Sequence, residues 1–408
     1  MGDARAASET AGDTGAPVIL GNEPGSFARG VLAERHPALI RQVREAFPYG
    51  PRQHGALDAL LNEITHGVVE PLDAAAPDHG IWQAWGREHF GRSWFDAPFL
   101  WAESYFYRRL LAAIEYFDEG PWQGVDPFAP FKRAELSGSA VDDELRSLDR
   151  LADAPAGERA SALLHASLWG NRADLGFRVA ADEPLGDADP GLVADDSALL
   201  WSLLPVGAPS TVAVVADNAG RELIPDLILI DHLLEQGHAE RAVLHVKPCP
   251  YYVSDATTTD VIDSLRRLVR APGAAGGIGR RLWEAMGAGR LEVRTHVFFC
   301  APLPYEEMPE DLRKELGGGA LTILKGDLNY RRLVGDRLWD ATTPFADRTA
   351  YFPGSVAALR TLKSDVVVGL EPQTLSALEA SGGAWRTSGT HALIQTKGSG
   401  ATASPRGA

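Results

Sequence analysis

Cysteine is scarce in this sequence, which has only two among its 408 residues, Cys249 and Cys300. Neither stands in a spacing typical of metal ligands, so neither a structural zinc site nor a disulfide scaffold is expected. A chain of this length buries enough apolar surface to fold without such staples. Two free thiols are the simpler interpretation, and they fit a reducing cytoplasm.

Long hydrophobic runs and excess positive charge are also missing. No segment reaches the roughly 18 consecutive apolar residues of a membrane span, and the N-terminus lacks the basic and apolar regions of a secretory signal. The 39 Lys and Arg are outnumbered by 55 Asp and Glu, giving a formal net charge of -16. This balance argues against nucleic acids and anionic membranes as partners. A small anionic substrate stays possible, because one bound metal ion can reverse the local field.

Two regions of different pattern make up most of the chain. Residues 18–178 are predicted to form a helical domain, because apolar residues such as Phe99, Ala102 and Phe106 recur at three- and four-residue spacing. Residues 179–397 alternate apolar strands with helices, which predicts an α/β domain whose mostly parallel sheet is covered on both faces. The expected strands span residues 211–216, 242–246, 291–299, 321–324, 365–369 and 392–395, and the expected helices span residues 222–235, 260–269 and 329–338.

Four further segments are predicted to be irregular. Residues 1–17 and 398–408 are rich in small and polar residues, which predicts a disordered leader and a disordered tail. Residues 180–190 are predicted to be a loop near the domain boundary. Residues 273–279 are glycine-rich but follow a helix, so a flexible loop is expected there and not a phosphate-binding loop.

A carboxylate follows each of three predicted strands. Asp217 and Asn218 come directly after the first, Asp255 follows the second, and Asp327 follows the strand at residues 321–324. The carboxyl ends of parallel strands share one edge, where ligands bind, so these side chains are expected to converge. Two carboxylates and an amide oxygen suit Mg²⁺, Mn²⁺ or Co²⁺. A turn that caps the next helix is the alternative for Asp217 and Asn218.

Charged residues elsewhere have two interpretations. Arg360 and Lys363 could bind phosphate oxygens, or could be solvated surface cations. Glu222 stands at a predicted helix start, where a carboxylate is favourable in any case. The sequence contains neither a G-x-S-x-G nucleophile elbow nor a Walker motif.

Several motifs, in the same order, resemble those of the damage-control phosphatase family. Residues 217–223 resemble its Asp-Asn-Ala-Gly-x-Glu-Leu segment, and residues 253–257 look like its next element. Residues 325–331 are similar to the Lys-Gly-Asp-Leu-Asn-Tyr-Arg segment of one subfamily, which includes the acidic-residue methyltransferase-like proteins. Residues 360–363 match that subfamily's Arg-Thr-x-Lys motif, and residues 169–175 are similar to its Trp-Gly-Asn element.

The resemblance, which extends over roughly residues 95–395, implies an α/β/α sandwich beside a helical domain. It also implies a metal held by Asp217, Asn218 and Asp255. Family members act on sugar phosphates and related phosphometabolites with Mn²⁺, Co²⁺, Ni²⁺ or Mg²⁺. The predicted catalytic residues are Asp217, Asp255, Asp327 and Lys363, and the predicted substrate contacts are Glu222, Asp327, Asn329, Tyr330, Arg331, Lys363 and Asn171.

The expected mechanism is hydrolysis by a water that the metal activates, with a covalent phospho-aspartate left open. The metal would bind a phosphate oxygen and lower the pKa of the water. Lys363, helped by Arg331, would stabilise the charge on the phosphoryl group. Asn329 would orient the phosphate, and Asp327 would orient or deprotonate the water. Glu103, Asn171, Arg172 and Asp174 are polar groups of the helical region that would select the sugar, or would serve as caps and salt bridges.

Two other functions remain as alternatives. The first is a carboxyl methyltransferase that uses S-adenosylmethionine, with Glu222 and Asp255 contacting the cofactor. Two points argue against this alternative. No glycine-rich loop follows the first strand, and simple methyl transfer does not explain a set of metal ligands. The second is a non-catalytic binding protein for a phosphorylated metabolite, against which the complete set of motifs argues.

Overall fold

A computed structural model describes residues 15–152, 154–170 and 191–400 of the protein. Those residues contain a seven-stranded sheet with the order β1-β7-β6-β5-β2-β3-β4. Every neighbouring pair is parallel except β6 and β7, so β1 and β7 run opposite to the other five strands. The predicted α/β class with a mostly parallel sheet is confirmed. The strands are β1 (Leu192–Asp195), β2 (Thr211–Val215), β3 (Arg241–Val246), β4 (Leu291–Thr295), β5 (Leu321–Lys325), β6 (Val356–Thr361) and β7 (Ala392–Lys397).

Helices precede the sheet and alternate with its strands. A π-helical turn (Val31–Arg35) joins the first two helices, and 3₁₀ turns occur at Trp94–Asp96, Val297–Cys300 and Tyr305–Glu307. The α-helices of the described residues are α1 (Phe27–Gly30), α2 (His36–Ala46), α3 (Pro51–His66), α4 (His79–Gly86), α5 (Phe99–Ala113), α6 (Ala129–Leu136), α7 (Ser139–Ala152), α8 (Ala156–Trp169), α9 (Ser197–Ser202), α10 (Leu223–Glu235), α11 (Thr258–Val269), α12 (Gly273–Gly287), α13 (Glu310–Gly317), α14 (Gly326–Val334), α15 (Phe345–Arg348) and α16 (Pro372–Ala380).

The sheet is buried on both faces, each against its own hydrophobic core. Alternate residues of β2 divide between the cores: Ala213 and Val215 belong to one, and Val212 and Val214 to the other. This is the two-residue period of a strand covered on both sides. The first core includes side chains from α2, α3 and α5, and the second includes side chains from α7, α8, α10, α11 and α12. Of the last two helices before the sheet, α8 therefore packs directly on β6 and β7, whereas α7 packs on α12.

The glycine-rich segment at residues 273–279 is helical, so the predicted loop there is wrong. It begins α12, which packs on α11. A side chain at Gly279 would place its Cβ 2.4 Å from the backbone nitrogen of Val269. The glycine permits close helix packing, which outweighs its low helix propensity.

Several predicted strands and helices need correction. Residues 365–369 form no strand, whereas β1 and β6 were not predicted. The strand expected at residues 291–299 ends at Thr295, and a 3₁₀ turn follows it. The helix expected at residues 329–338 is α14, which begins at Gly326 because β5 runs into it without a loop.

The chain ends are described only in part. The Leu338 backbone N–H donates to the Pro17 carbonyl, and Arg337 donates to that of Ala16, so residues 16 and 17 of the predicted leader are anchored. Residues 1–14, the tail from 401 and the predicted boundary loop at 180–190 lie outside the described residues. No helix in the described part of the chain has the length and apolar character needed to span a bilayer.

Candidate active site

Two loops meet at the carboxyl ends of the neighbouring strands β2 and β3. Asn218 and Asp255 form an isolated antiparallel bridge between the loops. The Ala219 N–H donates to the Ser254 carbonyl at 2.6 Å, and the Ala256 N–H donates to the Asp217 carbonyl at 2.9 Å. Backbone hydrogen bonds therefore bring together the three residues predicted to hold a metal, although they are far apart in sequence.

The third strand of this group, β5, contributes a glycine. Gly326 begins α14 with φ +84°. A Cβ at this position would lie 1.8 Å from Oδ2 of Asp217, which is far inside van der Waals contact. Only glycine permits both this backbone conformation and this approach. The glycine of the Lys-Gly-Asp segment thus makes room for the Asp217 carboxylate.

The two aspartates lie in surroundings that disfavour their negative charges. Burial, then Glu222 and then Asp255 raise the pKa of Asp217 well above its ordinary value. Burial raises the pKa of Asp255 to about 6, against the opposing effect of Lys247. Oδ2 of Asp255 is buried without a hydrogen-bond partner, and Lys247 Nζ lies 3.4 Å from it. Such carboxylates are costly unless a cation compensates them.

These residues fit a divalent cation. Asp217 and Asp255 supply carboxylates, and Oδ1 of Asn218, which accepts from the Ser254 hydroxyl at 2.7 Å, supplies an amide oxygen. Hard divalent cations take such oxygen ligands. No three His, Cys, Asp or Glu side chains converge as a possible metal site within the described residues. A cation at this position therefore needs the amide of Asn218 as a third protein ligand.

Glu222 lies beside Asn218, and Lys363 lies beside Glu222. The Asn218 amide donates to Glu222 Oε2 at 2.9 Å, and Lys363 Nζ lies 3.6 Å from Glu222 Oε1. The Lys363 side chain is 46% exposed. Burial acts to lower its pKa, but Glu222, Asp217 and Asp327 outweigh burial and raise that pKa. Lys363 is therefore a cation at neutral pH that can reach a ligand.

A cleft of about 500 Å³ opens above these residues. Its walls come from the first helices, from α5 and from the loop after β3. Sequence reasoning missed most of this wall because no local pattern marks which side of a helix faces a cleft. The lining residues that were not predicted include Phe27, Arg35, His36, Gln42, Tyr107 and Tyr252, and those that were predicted are Glu103, Asp217, Asn218, Asp255, Asp327 and Lys363.

The loop that carries Asp255 has a strained backbone. Tyr252 and Val253 have φ angles of 45° and 62°, in the left-handed region. A β-branched residue rarely adopts this conformation, and each such residue costs about 1–3 kcal/mol. The Ser254 N–H donates back to the Tyr252 carbonyl at 2.7 Å. The tight turn directs Ser254 and Asp255 toward Asn218.

Asp327 lines the cleft, but its Oδ1 is engaged by the protein. This oxygen accepts from Arg360 Nε at 2.8 Å, from the Ser364 hydroxyl at 3.0 Å and from the Lys363 backbone N–H at 3.3 Å. Burial acts to raise the pKa of Asp327, yet Arg360 and Arg331 outweigh burial and lower it. Arg360 is fully buried in β6, so the alternative that it is a solvated surface cation is wrong.

Asn329 lies beneath the cleft and not on its surface. It is fully buried, and its amide nitrogen donates to the carbonyls of Ala216 and Lys325 at 3.2 and 2.8 Å. Its Oδ1 accepts from the Tyr305 hydroxyl at 2.9 Å. The predicted phosphate contact does not fit this geometry, because the polar groups of the side chain already hold the ends of β2 and β5.

Tyr330 and Arg331 are also buried away from the cleft surface. The Tyr330 hydroxyl donates to Gln395 Oε1 at 2.9 Å. Arg331 pairs with Glu103 at 2.7 Å and with Asp336 at 2.7 Å. Direct substrate contacts by these side chains do not fit, since their polar atoms are committed to internal partners. The remaining predicted contact, Asn171, lies outside the described residues, as do Arg172 and Asp174.

Comparisons with known proteins identify the family of this chain. A sequence model of the damage-control phosphatase ARMT1-like domain matches residues 31–378. The chain is 30% identical to damage-control phosphatase ARMT1 of Mus musculus over 93% of this chain and 98% of that protein. Its identity to the Danio rerio protein of the same name is 31%, over 91% of this chain and 94% of that protein.

One similar solved structure is a DUF89-family protein from Pyrococcus horikoshii. It is 15% identical, with a TM-score of 0.43 over 85% of this chain and 94% of that one. The family assignment therefore comes from the sequence matches, of which the family model extends over residues 31–378. They confirm the predicted family and the predicted enzyme class. The chain belongs to the ARMT1-like family of damage-control phosphatases.

Proposed function

We propose that this protein hydrolyses the phosphate monoester of a small phosphometabolite, a sugar phosphate or a close relative, with the help of Mn²⁺, Co²⁺, Ni²⁺ or Mg²⁺. The observation that carries the proposal is the convergence of Asp217, Asn218 and Asp255 beside Lys363 on one cleft. The two free cysteines favour a reducing cytoplasm as the place of action. Nucleic acids and membranes are not proposed as partners.

Asp217, Asn218 and Asp255 would hold the cation, which would neutralise phosphoryl charge and lower the pKa of a water. Glu222 would fix the orientation of the Asn218 amide, because Glu222 accepts a hydrogen bond from its nitrogen. The amide oxygen, which accepts from the Ser254 hydroxyl, is then the atom that would bind the cation. The protein's own part is thus to hold two carboxylates and one amide oxygen in fixed positions, so that little reorganisation is needed when the substrate arrives.

Lys363 would stabilise the negative charge that develops on the transferring phosphoryl group. Its ammonium group is partly exposed and 3.6 Å from Glu222, so it can change partner from Glu222 to a phosphate oxygen. We propose that Asp327 positions Lys363 through the backbone N–H that it accepts. Its lowered pKa makes it a weak proton acceptor, which favours positioning over the deprotonation predicted from the sequence.

The cleft suits a substrate of metabolite size. Its volume of about 500 Å³ is in the usual range of small-molecule sites. Tyr107 and Tyr252 stack on each other at 4.7 Å and form an apolar wall. Glu103, Gln42 and Arg35 add polar groups, so the site offers contacts both to the faces and to the hydroxyl groups of a sugar.

The test is phosphate release from a panel of sugar and nucleoside phosphates. Protein stripped with a chelator is assayed alone and with each of the four cations, and an Asp217→Ala variant is assayed in parallel. We expect release that only added metal restores and that the variant lacks. Silence across the panel, together with thermal stabilisation by S-adenosylmethionine without metal, would instead support the methyltransferase alternative.

A further inference from the structure

The only two cysteines of the chain lie side by side. They are 51 positions apart in sequence, yet their Sγ atoms are separated by only 3.9 Å. Cys249 belongs to the loop after β3, and Cys300 ends the 3₁₀ turn that follows β4. Both are free and partly exposed. A disulfide needs its sulfurs about 2 Å apart, so a shift of about 2 Å would join them.

The pair can be reached from outside the active-site cleft. Cys249 lines a second cavity of about 340 Å³, with Asp126, Lys247 and Asp260 among its other walls. The hydrogen bond with Cys300 lowers the pKa of the Cys249 thiol, whereas burial raises the pKa of Cys300. Since the thiolate is the nucleophile, the more accessible cysteine is also the more reactive one.

We propose that Cys249 and Cys300 form a modification site, at which a low-molecular-weight disulfide oxidises the two thiols to an intramolecular disulfide. The Cys249 thiolate attacks one sulfur of the oxidant, forms a mixed disulfide and releases one small thiolate. Cys300 then gives up its proton and attacks the sulfur of Cys249, which releases the second small thiolate. The protein loses two electrons and two protons, and the oxidant leaves as two small thiols.

The position of this site connects it to the loop that carries Asp255. Lys247 Nζ donates to the Phe299 carbonyl at 3.0 Å and lies 3.4 Å from Asp255 Oδ2. Phe299 is adjacent to Cys300, and Lys247 is two residues before Cys249. Drawing the sulfurs together therefore moves both segments that Lys247 connects to Asp255. We therefore expect the disulfide to displace Asp255. Such a displacement should slow turnover, since shifts of about 1 Å in a site can cost two orders of magnitude in rate.

The first experiment measures the bond itself and does not depend on any activity. The full, metal-loaded protein is treated with oxidised glutathione at neutral pH, remaining thiols are blocked, and the peptides are analysed by mass spectrometry. We expect a cross-link between the Cys249 and Cys300 peptides with no glutathione retained. In the matched Cys300→Ser variant, glutathione should stay on Cys249. Two free thiols in the treated wild type, or glutathione retained beside a free Cys300, would overturn the proposal.

The second experiment measures the connection to Asp255, which rests on the proposed function. Mn²⁺ affinity and phosphate release are compared before oxidation, after oxidation and after dithiothreitol. We expect both to fall about tenfold or more and to recover on reduction, while Cys300→Ser changes little. A cross-link that leaves metal affinity and turnover unchanged would refute this connection. If only the phosphatase assay fails, the proposed function is wrong, and the cross-link and the Mn²⁺ affinity still test the disulfide and its connection to Asp255.

Discussion

Residues 217–222 and residues 326–331 occupy equivalent places in the fold, each after an interior parallel strand. After β2 the chain forms a loop before α10 begins at Leu223, so Asp217 and Asn218 line the cleft and Glu222 lies beside Asn218. After β5 the helix α14 begins at once, and its turns carry Asn329 and Arg331 beneath the strand ends. The first segment supplies ligand groups, and the second holds them in place.

This difference shows that a polar run after a strand does not by itself identify a binding surface. Whether these polar side chains face the cleft depends on whether a loop or a helix follows the strand. In a loop the side chains can remain at the sheet edge. In a helix a residue two positions later, as Asn329 is after Asp327, points to nearly the opposite side. The two segments should therefore respond differently to substitution, the first in turnover and the second in stability.

The largest expected effect is in the first segment, on replacing Asp217 by asparagine. This change keeps the size and removes a charge, so we expect metal-dependent turnover to fall about 10³-fold, as when a main charge-stabilising group is lost. Initial rates with Mn²⁺ and calorimetric metal titration check this. The unfolding temperature of the metal-free variant should not fall, because a carboxylate crowded by Glu222 and Asp255 is removed. Wild-type Mn²⁺ affinity in the variant would contradict the metal assignment.

Lys363→Ala should lower kcat/KM about 10²-fold through lost stabilisation of phosphoryl charge. The matched control is Lys314→Ala, since Lys314 is a 74% exposed cation on α13 paired with Glu310. Steady-state kinetics on one substrate compare the two variants. Equal, small effects would make Lys363 an ordinary surface cation and would weaken the contrast between the two segments.

In the second segment, Asn329→Ala should mainly affect stability. The change leaves the carbonyls of Ala216 and Lys325 without their donor, so we expect unfolding to become easier by about 1–3 kcal/mol. Urea unfolding measures this. A raised KM with an unchanged unfolding midpoint would instead mean that Asn329 contacts the substrate directly.

The smallest expected effect concerns His36, which lines the cleft but is buried like a core residue. Its ring stacks on Phe106 at 3.8 Å, and burial lowers its pKa from 6.5 to about 3. Below pH 6.5 an unfolded chain binds a proton that the folded protein does not, so stability falls as the pH falls. Between pH 6.5 and 5 this loss of stability amounts to about 1–2 kcal/mol. Over the same pH range the free energy of unfolding of His36→Phe, measured with urea, should fall less than that of the wild type by this amount. The same pH dependence in variant and wild type would refute this account.

Much of the fold was predictable, because the interior strands are short apolar runs with turn residues between them. β6 was not predicted, because its sequence Val-Ala-Ala-Leu-Arg-Thr has few β-branched residues and places a charge within the sheet. Arg360 is tolerated there since Asp327, Ser364 and the Val366 carbonyl receive its donors. Such long-range compensation has no local signal in a sequence.

The candidate site was predictable to a similar degree. Position after a strand indicated that Asp217, Asn218 and Asp255 would converge, since parallel strands fix where their ends meet. The opposite wall was not predictable, because Arg35 and Gln42 reach the cleft only through tertiary packing of the first helices. The sequence also could not distinguish Lys363 from Arg360, two cations of one short motif. In the structure Arg360 is fully buried and Lys363 is partly exposed.

The interior place of β2 in the sheet has a consequence for how the protein opens. β2 is hydrogen-bonded to β5 on one side and to β3 on the other, so its amide protons should exchange with solvent only in the most complete openings of the structure. The aspartate that follows this strand is therefore attached to the slowest-exchanging part of the molecule. A cation bound there should slow exchange across the whole sheet and not only in a lid, because it stabilises the folded state from which every opening starts.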